Sequence, residues 1–409
     1  MDKQQKTTMP VFLIAVSCSV FFMAIFIFYG QKYAEDLERK HIHAMAPLYP
    51  DIVINAAAFQ KIALDTPDLL PVYGASEEHK EIGPYQANQF FQNYPTGFAP
   101  FDDSKGGAQS LTEIQALASL GDSLKGKKII ISFTPKQFYW PTLDDKTYAG
   151  FFTNLHAYEL IFNPTLSYST KQSVAKRMQD YSKTLKGDKF LSFAINELTS
   201  DSMASKIMYW TMYPLGRLQA DIMELQDHYQ SVLYISKNQK SLNTDIRREA
   251  RNIDWQNELA NARDIAIKRG SSNPFGFSEN YWRRKGHLDQ QESVGSEDAK
   301  FLEKIRNSKE SSDFVLLLQV LKELGAKPLL VGRPMNDKYF NYVGISNEAM
   351  DRYFGFVEKE AARFGFPLVD FKDYRGDSYF GVDPAPHTSQ EGWVYVDKIY
   401  NDFYHGNTK

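Results

Sequence analysis

Four short apolar runs recur along this chain, each bounded by Gly, Pro or Lys: residues 70–73, 128–133, 328–331 and 367–370. Runs of this length without polar alternation are the pattern of strands buried on both faces of a parallel sheet. Text of helical periodicity fills the gaps, as at residues 110–124 and 313–324. Leu324-Gly-Ala-Lys-Pro328 reads as a helix C-cap feeding the next strand. The alternation predicts right-handed crossovers and a doubly wound, mainly parallel α/β sheet covered by helices. Such sheets carry their sites at the carboxyl ends of the strands. Ser76, Pro135-Lys-Gln137, Gly332-Arg-Pro334 and the stretch from Asp370 onward all follow strand candidates, and are expected on one rim.

Residues 201–309 break the pattern. Charged, helix-favouring text dominates, such as Thr244-Asp-Ile-Arg-Arg-Glu-Ala-Arg251, with one strand-like run at 231–236 and an interruption at Pro274-Phe-Gly-Phe277. We read a mostly helical insertion that either caps a site, meets a partner or is a solvated hairpin. At 409 residues the chain holds one large domain with insertions, or two, and 43% hydrophobic residues suffice for a core. A net charge of −3 argues against a nucleic-acid binder. The single cysteine, Cys18, lies in the N-terminal apolar run, so no disulfide, thiolate-bound metal or cysteine nucleophile is expected beyond it. No HExxH, paired CxxC, P-loop or complete GxGxxG occurs, so neither metal nor nucleotide cofactor is expected.

The N-terminus bears on location. Residues 11–29 (VFLIAVSCSVFFMAIFIFY) are apolar and uncharged, close to the roughly 20 residues a helix needs to cross a bilayer core. Ala44-Met-Ala46 resembles a signal-peptidase site but lies well past the apolar run, beyond Lys32, Glu35, Asp36, Glu38, Arg39 and Lys40. The reading is therefore an uncleaved transmembrane helix rather than a signal peptide. Lys3 and Lys6 before the run nearly balance Lys32, Arg39 and Lys40 after it, so charge leaves orientation open.

Two segments at opposite ends of the large domain carry the candidate chemistry. Leu70-Pro-Val-Tyr-Gly-Ala-Ser-Glu77 reads as a strand entering a small-residue turn that presents Ser76 before a helix. Gly381-Val-Asp-Pro-Ala-Pro-His-Thr-Ser-Gln-Glu-Gly-Trp393 sets Asp383 and His387 on a Pro-rich loop ahead of the final helix. A serine becomes nucleophilic only when a base takes its proton, and an aspartate orients that base. A helix start at Ser76 would help hold the oxyanion, although Ser76 reads equally as an ordinary N-cap. Of eight histidines, His387 alone combines a nearby aspartate, a loop setting and a following helix start. His79, three residues after Ser76, is its rival as the base. Gly106-Gly-Ala-Gln109 precedes a helix, so the Gly107 N–H, with Gln109 or Gln137, could form an oxyanion hole, or the glycines are a plain turn. Arg333 reads either as a partner for an anionic substrate group or as a rim salt bridge.

These segments together resemble the DltD family, the D-alanyl-lipoteichoic acid biosynthesis proteins, whose ectodomain is similar to SGNH-type hydrolases. The resemblance runs through the N-terminal anchor, Val72-Tyr-Gly-Ala-Ser-Glu77, Asn88-Gln-Phe-Phe91, Gly106-Gly-Ala-Gln-Ser-Leu111, Ile130-Ile-Ser-Phe-Thr-Pro-Lys-Gln-Phe138, and Asp383/His387 with Gly392-Trp-Val394. It implies Ser76 as nucleophile, His387 as base and Asp383 as orienting acid. The family usually has serine at the position of Ala75, and spaces aspartate and histidine as D-x-x-H where this chain has D-x-x-x-H. Asp377 or Asp370 are the alternative acids. The resemblance implies a short cytoplasmic tail (1–10), a single-pass cell-membrane anchor (11–29), a stem (30–65) and an extracytoplasmic SGNH-like domain (66–409). It further implies a serine acyltransferase or esterase moving D-alanine onto teichoic acid or a similar polyol acceptor. Its partners would be a membrane-bound O-acyltransferase and a D-alanyl carrier protein. A thioesterase or O-acetylesterase with the same triad, or a non-catalytic membrane assembly subunit, are the competing readings.

Overall fold

The computed structural model describes residues 3–46, 57–79, 83–139, 143–238, 249–285, 289–385 and 387–407. Five parallel strands form one sheet: β1 (Leu69–Tyr73), β2 (Ala99–Asp102), β3 (Lys128–Phe133), β4 (Lys327–Gly332) and β5 (Leu368–Val369), in the order β2-β1-β3-β4-β5. The rest is mostly helix. Because all neighbours are parallel, every strand ends on the same edge.

The pleat explains why the strand text lacked alternation. Ile129, Ile131, Phe133 and Leu330 enter one apolar cluster with the helices Ser110–Leu120, Lys309–Glu323 and Asn347–Phe364. Their neighbours Ile130, Leu329 and Val331 enter a second, with the helices Ala87–Asn93, Trp255–Gly270 and Gln390–His405. Both faces are covered, so both must be apolar. The chain leaves β1 for β2 on one side, then returns to β3 on the other. That reversal between β1 and β3 is where open parallel sheets form a ligand crevice, and Ser76 lies just beyond β1.

Two expectations need correction. The run at 231–236 is not a strand but part of the long helix Met203–Asn238. Ser231 and Ile235, one turn apart, are buried there, and Ser231 Oγ donates to the buried Glu38 carboxylate and to His228 O at 2.8 Å. The strand β2 had no counterpart in the apolar-run reading, because Ala-Pro-Phe-Asp is short and at the sheet edge. Residues 11–29 lie within the helix Lys3–Met45. The side chains of Val11, Val20, Met23, Ala24 and Phe26 fall outside the described residues, and among the described residues no helix is long and apolar enough to cross a membrane.

Candidate active site

The segment that bears Ser76 is shaped by close backbone approach. A Cβ at Gly74 would lie 2.9 Å from Ser132 Cβ on β3, so only glycine lets β1 turn there without displacing its neighbour. The turn is braced by Glu77, whose Oε1 accepts the Ala75 N–H at 2.9 Å, and by Lys105 N donating to Gly74 O at 3.1 Å. Residues 75–79 form successive turns, with Glu78 N on Ala75 O (3.3 Å) and His79 N on Ser76 O (3.4 Å). The next described helix begins only at Ala87. Ser76 therefore sits on a braced turn, not at the start of a helix, and the expected dipole contribution does not arise.

The second segment folds back on itself. Val382 N donates to His387 O at 2.9 Å, and Gly381 and Thr388 form an isolated antiparallel bridge. Asp383 Oδ1 accepts from Ala385 N (3.0 Å) and His387 N (3.4 Å), so the loop itself holds the carboxylate. Its four-residue spacing from His387 becomes a tight loop around one side chain. His387 Nδ1 lies 2.7 Å from Asp383 Oδ2 and 2.8 Å from Oδ1, with both residues buried. A carboxylate only accepts, so Nδ1 carries the proton and Nε2 is left as an acceptor. Ser76 Oγ lies 2.8 Å from Nε2 and donates to it.

The alternatives are engaged elsewhere. His79 Nδ1 meets Ser104 Oγ at 3.0 Å. Asp377 lies 3.5 Å from Arg263, and Asp370 Oδ1 accepts the Lys372 N–H at 3.1 Å. Gly107, Gln109 and Gln137 do gather with Ser76 around a cavity of about 340 Å³. Gly107 takes φ +88°, with open space where a Cβ would stand. Gln137 is committed to the scaffold: its Oε1 accepts from Thr134 N (2.9 Å) and its Nε2 donates to Ala108 O (3.1 Å). Gln109 Oε1 accepts from Leu143 N at 3.3 Å. Gln137 thus holds the glycine loop against the end of β3, and Gly107 lines the cavity beside Ser76. Arg333 is fully buried and paired with Glu78, so it neither meets a substrate nor forms a rim bridge. Among the described residues, no group of three or more His, Cys, Asp or Glu side chains is placed to hold a metal ion.

The family model described as "DltD protein" matches residues 47–405. The chain belongs to the DltD family. It is 28% identical over 358 residues to Protein DltD of Bacillus subtilis (strain 168), covering 86% of this chain and 87% of that one. It is 22% identical over 355 residues to Protein DltD of Staphylococcus aureus (strain NCTC 8325 / PS 47), covering 85% and 84%.

Beside the small cavity in this DltD-family chain lies a larger one of about 800 Å³, lined by Asp383 and, like the small one, by His387. Its walls carry five cations, Lys136, Arg284, Lys285, Lys300 and Lys304, against three acids, Asp289, Glu297 and Asp383. Glu297 pairs with Lys300 at 2.8 Å, Asp289 accepts from Tyr339 Oη at 2.9 Å and Asp383 holds His387, and five cations against three acids leave a positive excess. The cleft is therefore cationic on a chain of net charge −3. Tyr139 and Tyr281 line it together with the loop that bears Asp383 and His387. Burial first, then the Asp383 charge, raises the Tyr139 phenol, and burial with Asp289 and Asp383 pushes Tyr281 up to about 12. Sequence reasoning missed this cleft. Its one local signal was the run Arg283-Arg-Lys285, whose neighbours Lys300 and Lys304 come from a different helix.

Proposed function

We propose that this chain is a membrane-anchored serine acyltransferase or esterase that takes part in D-alanylation of teichoic acid or a similar cell-envelope polymer. The observation that carries the reading is the linear chain of contacts from Ser76 Oγ through His387 to Asp383, at 2.8 and 2.7 Å. In this reading His387 Nε2 takes the Ser76 proton as Oγ attacks the donor carbonyl, with Asp383 stabilising the imidazolium. Gly107, which lines the smaller cavity, is the backbone N–H donor assigned to the oxyanion. Collapse expels the donor, which leaves with the proton from Nε2, and Ser76 keeps the acyl group as an ester. An acceptor hydroxyl then gives its proton to Nε2, attacks the ester and regenerates Ser76.

Two cavities meeting at one dyad suit transfer better than plain hydrolysis. The smaller can take the acyl group, and the cationic cleft suits an acceptor that carries negative charge along its length. The helical text between residues 201 and 309 contributes to that cleft through Tyr281, Arg284, Lys285, Lys300 and Lys304, which favours a capping role over a solvated hairpin. The family assignment supports a membrane-bound O-acyltransferase and a D-alanyl carrier protein as upstream partners. Uncleaved anchoring draws support from the helix Lys3–Met45, whose Phe12, Phe22 and Phe28 are 65–67% exposed. Exposed apolar side chains of this kind mark a surface for lipid or a protein partner. The extracytoplasmic placement of the remaining domain follows the family resemblance, because the flanking charges do not set an orientation.

The test is a partition assay on full-length protein in detergent, with an activated aminoacyl ester as donor and a polyol phosphate chain as acceptor. Acyl transfer exceeding hydrolysis, with both lost in Ser76→Ala, supports the transferase. Rapid hydrolysis indifferent to the acceptor turns the reading to esterase or thioesterase. Full cellular function in Ser76→Ala turns it to a non-catalytic assembly subunit.

A further inference from the structure

Arg333 follows β4 at the carboxyl edge of the sheet and is wholly enclosed. Its backbone N–H donates to Phe133 O at 3.0 Å, extending the sheet pairing by one residue. Its Nη2 donates to Glu78 Oε1 at 2.5 Å, and Tyr400 Oη donates to the other oxygen, Oε2, at 3.0 Å. The guanidinium also stands over the Trp393 ring, 5.6 Å from its centre. Glu78 is two residues beyond Ser76, on the nucleophile turn. Trp393 and Tyr400 are on the helix Gln390–His405, which starts directly after the loop that bears His387.

One side chain therefore grips both halves of the dyad from behind. The nucleophile and the base come from segments 311 residues apart, and the direct link at the front is a single hydrogen bond between Ser76 and His387. At the back, Arg333 supplies a charged bond to the first segment and a stacked ring to the second. Tyr400 closes the triangle. We propose that Arg333 is a positioning residue for the reaction: through Glu78 on one side and Trp393 with Tyr400 on the other, it sets the approach of Ser76 to His387. It touches no reacting atom, and the inference rests on the serine reading above.

The electrostatics suit a rigid brace. A buried ion pair is costly to break, because removing one partner strands the other charge without solvent. The same enclosed space holds Asp397, whose two oxygens have no hydrogen-bond partner among the described residues. Burial, and then the Glu78 charge, raise the Asp397 carboxyl well above its ordinary value, with Arg333 opposing.

The experiment measures the bimolecular rate at which a fluorophosphonate acylates Ser76 in full-length protein, per folded molecule, across pH, together with the thermal midpoint. Arg333→Met should lower that rate by about 100-fold, the scale expected when reacting groups move about 1 Å apart, and should blunt the pH dependence set by His387. Arg333→Lys, which keeps the charge without the planar fork, should recover part of the loss. Tyr400→Phe, which removes one bond from Glu78 and leaves the packing, should still slow labelling several-fold, so the inference stays testable if Arg333→Met does not fold. Wild-type labelling rates and pH profiles in Tyr400→Phe and Arg333→Met, with only the melting temperature lowered, would overturn it. No adduct on the wild type would overturn the serine reading and this inference together.

Discussion

Replacing Asp383 by asparagine isolates the step on which the chemistry depends. Asp383 Oδ1 is held by two backbone N–H groups, Ala385 at 3.0 Å and His387 at 3.4 Å, while Oδ2 faces His387 Nδ1 at 2.7 Å. An asparagine of the same shape keeps its carbonyl oxygen on the two N–H donors, because its NH₂ group cannot accept from them. The NH₂ then points at Nδ1, which must give up its proton and become the acceptor. The proton moves to Nε2, and Nε2 can no longer take one from Ser76. In serine enzymes this tautomer error costs about 10⁴-fold in the acylation step, or roughly 5 kcal/mol of transition-state stabilisation. The assay is single-turnover acylation by an activated ester, followed by intact mass, with the thermal midpoint measured alongside. We expect the rate to fall by three to four orders of magnitude, about the size just given, with little change in melting. Acylation within about tenfold of wild type would mean that His387 does not depend on Asp383 for its tautomer, and the proposed triad would be wrong.

Three further outcomes follow from particular contacts. Lys285→Glu combined with Lys304→Glu should raise the KM for an anionic acceptor about tenfold at low salt, with the difference shrinking as salt is added; fluorophosphonate labelling of Ser76 should not change. Gly74→Ala forces a Cβ to within 2.9 Å of Ser132 Cβ and 3.2 Å of Ser132 O, and should cost about 1–3 kcal/mol in denaturant unfolding; a neutral result would mean the β1 turn is not confined as described. Glu310, buried on the Ser110 N–H and hydroxyl, has its carboxyl raised from 4.5 to about 8 by burial. A raised acid binds its proton more tightly when folded, so its contribution is complete below about pH 4.5 and is lost as pH rises towards about 8. Glu310→Gln, which can still accept from Ser110, should flatten that alkaline decline in urea titrations; an unchanged slope would contradict it.

How much was legible follows from how local each signal is. The strands β1, β3 and β4 could be placed to within a residue or so because each is a continuous apolar run buried on both sides. The strand β2 escaped because Pro100 and its position at the edge leave no such run. The segment at 231–236 misled because strand-like text in a helix becomes legible only once Ser231 and Ile235 are seen facing the buried Glu38 and the apolar core around Ile42. His387 could be singled out because histidines are few and Asp383 is close in sequence. Arg333 could not be placed, since its burial depends on Glu78, 255 residues away, and on Trp393 over its face. The cationic cleft likewise assembles from separate helices and from Lys136 after β3. The turn after Ser76 was misread because Glu77-Glu78 suits a helix start, whereas here Glu77 braces the turn and Glu78 is spent on Arg333.

The most direct test of the central claim is intact-mass analysis of the full-length protein after a fluorophosphonate probe, with wild type, Ser76→Ala, His387→Ala and His79→Ala treated side by side. The account predicts one adduct on wild type, none on Ser76→Ala, strongly slowed labelling of His387→Ala and near-normal labelling of His79→Ala. An adduct that survives Ser76→Ala, or labelling that depends on His79 as much as on His387, would contradict it.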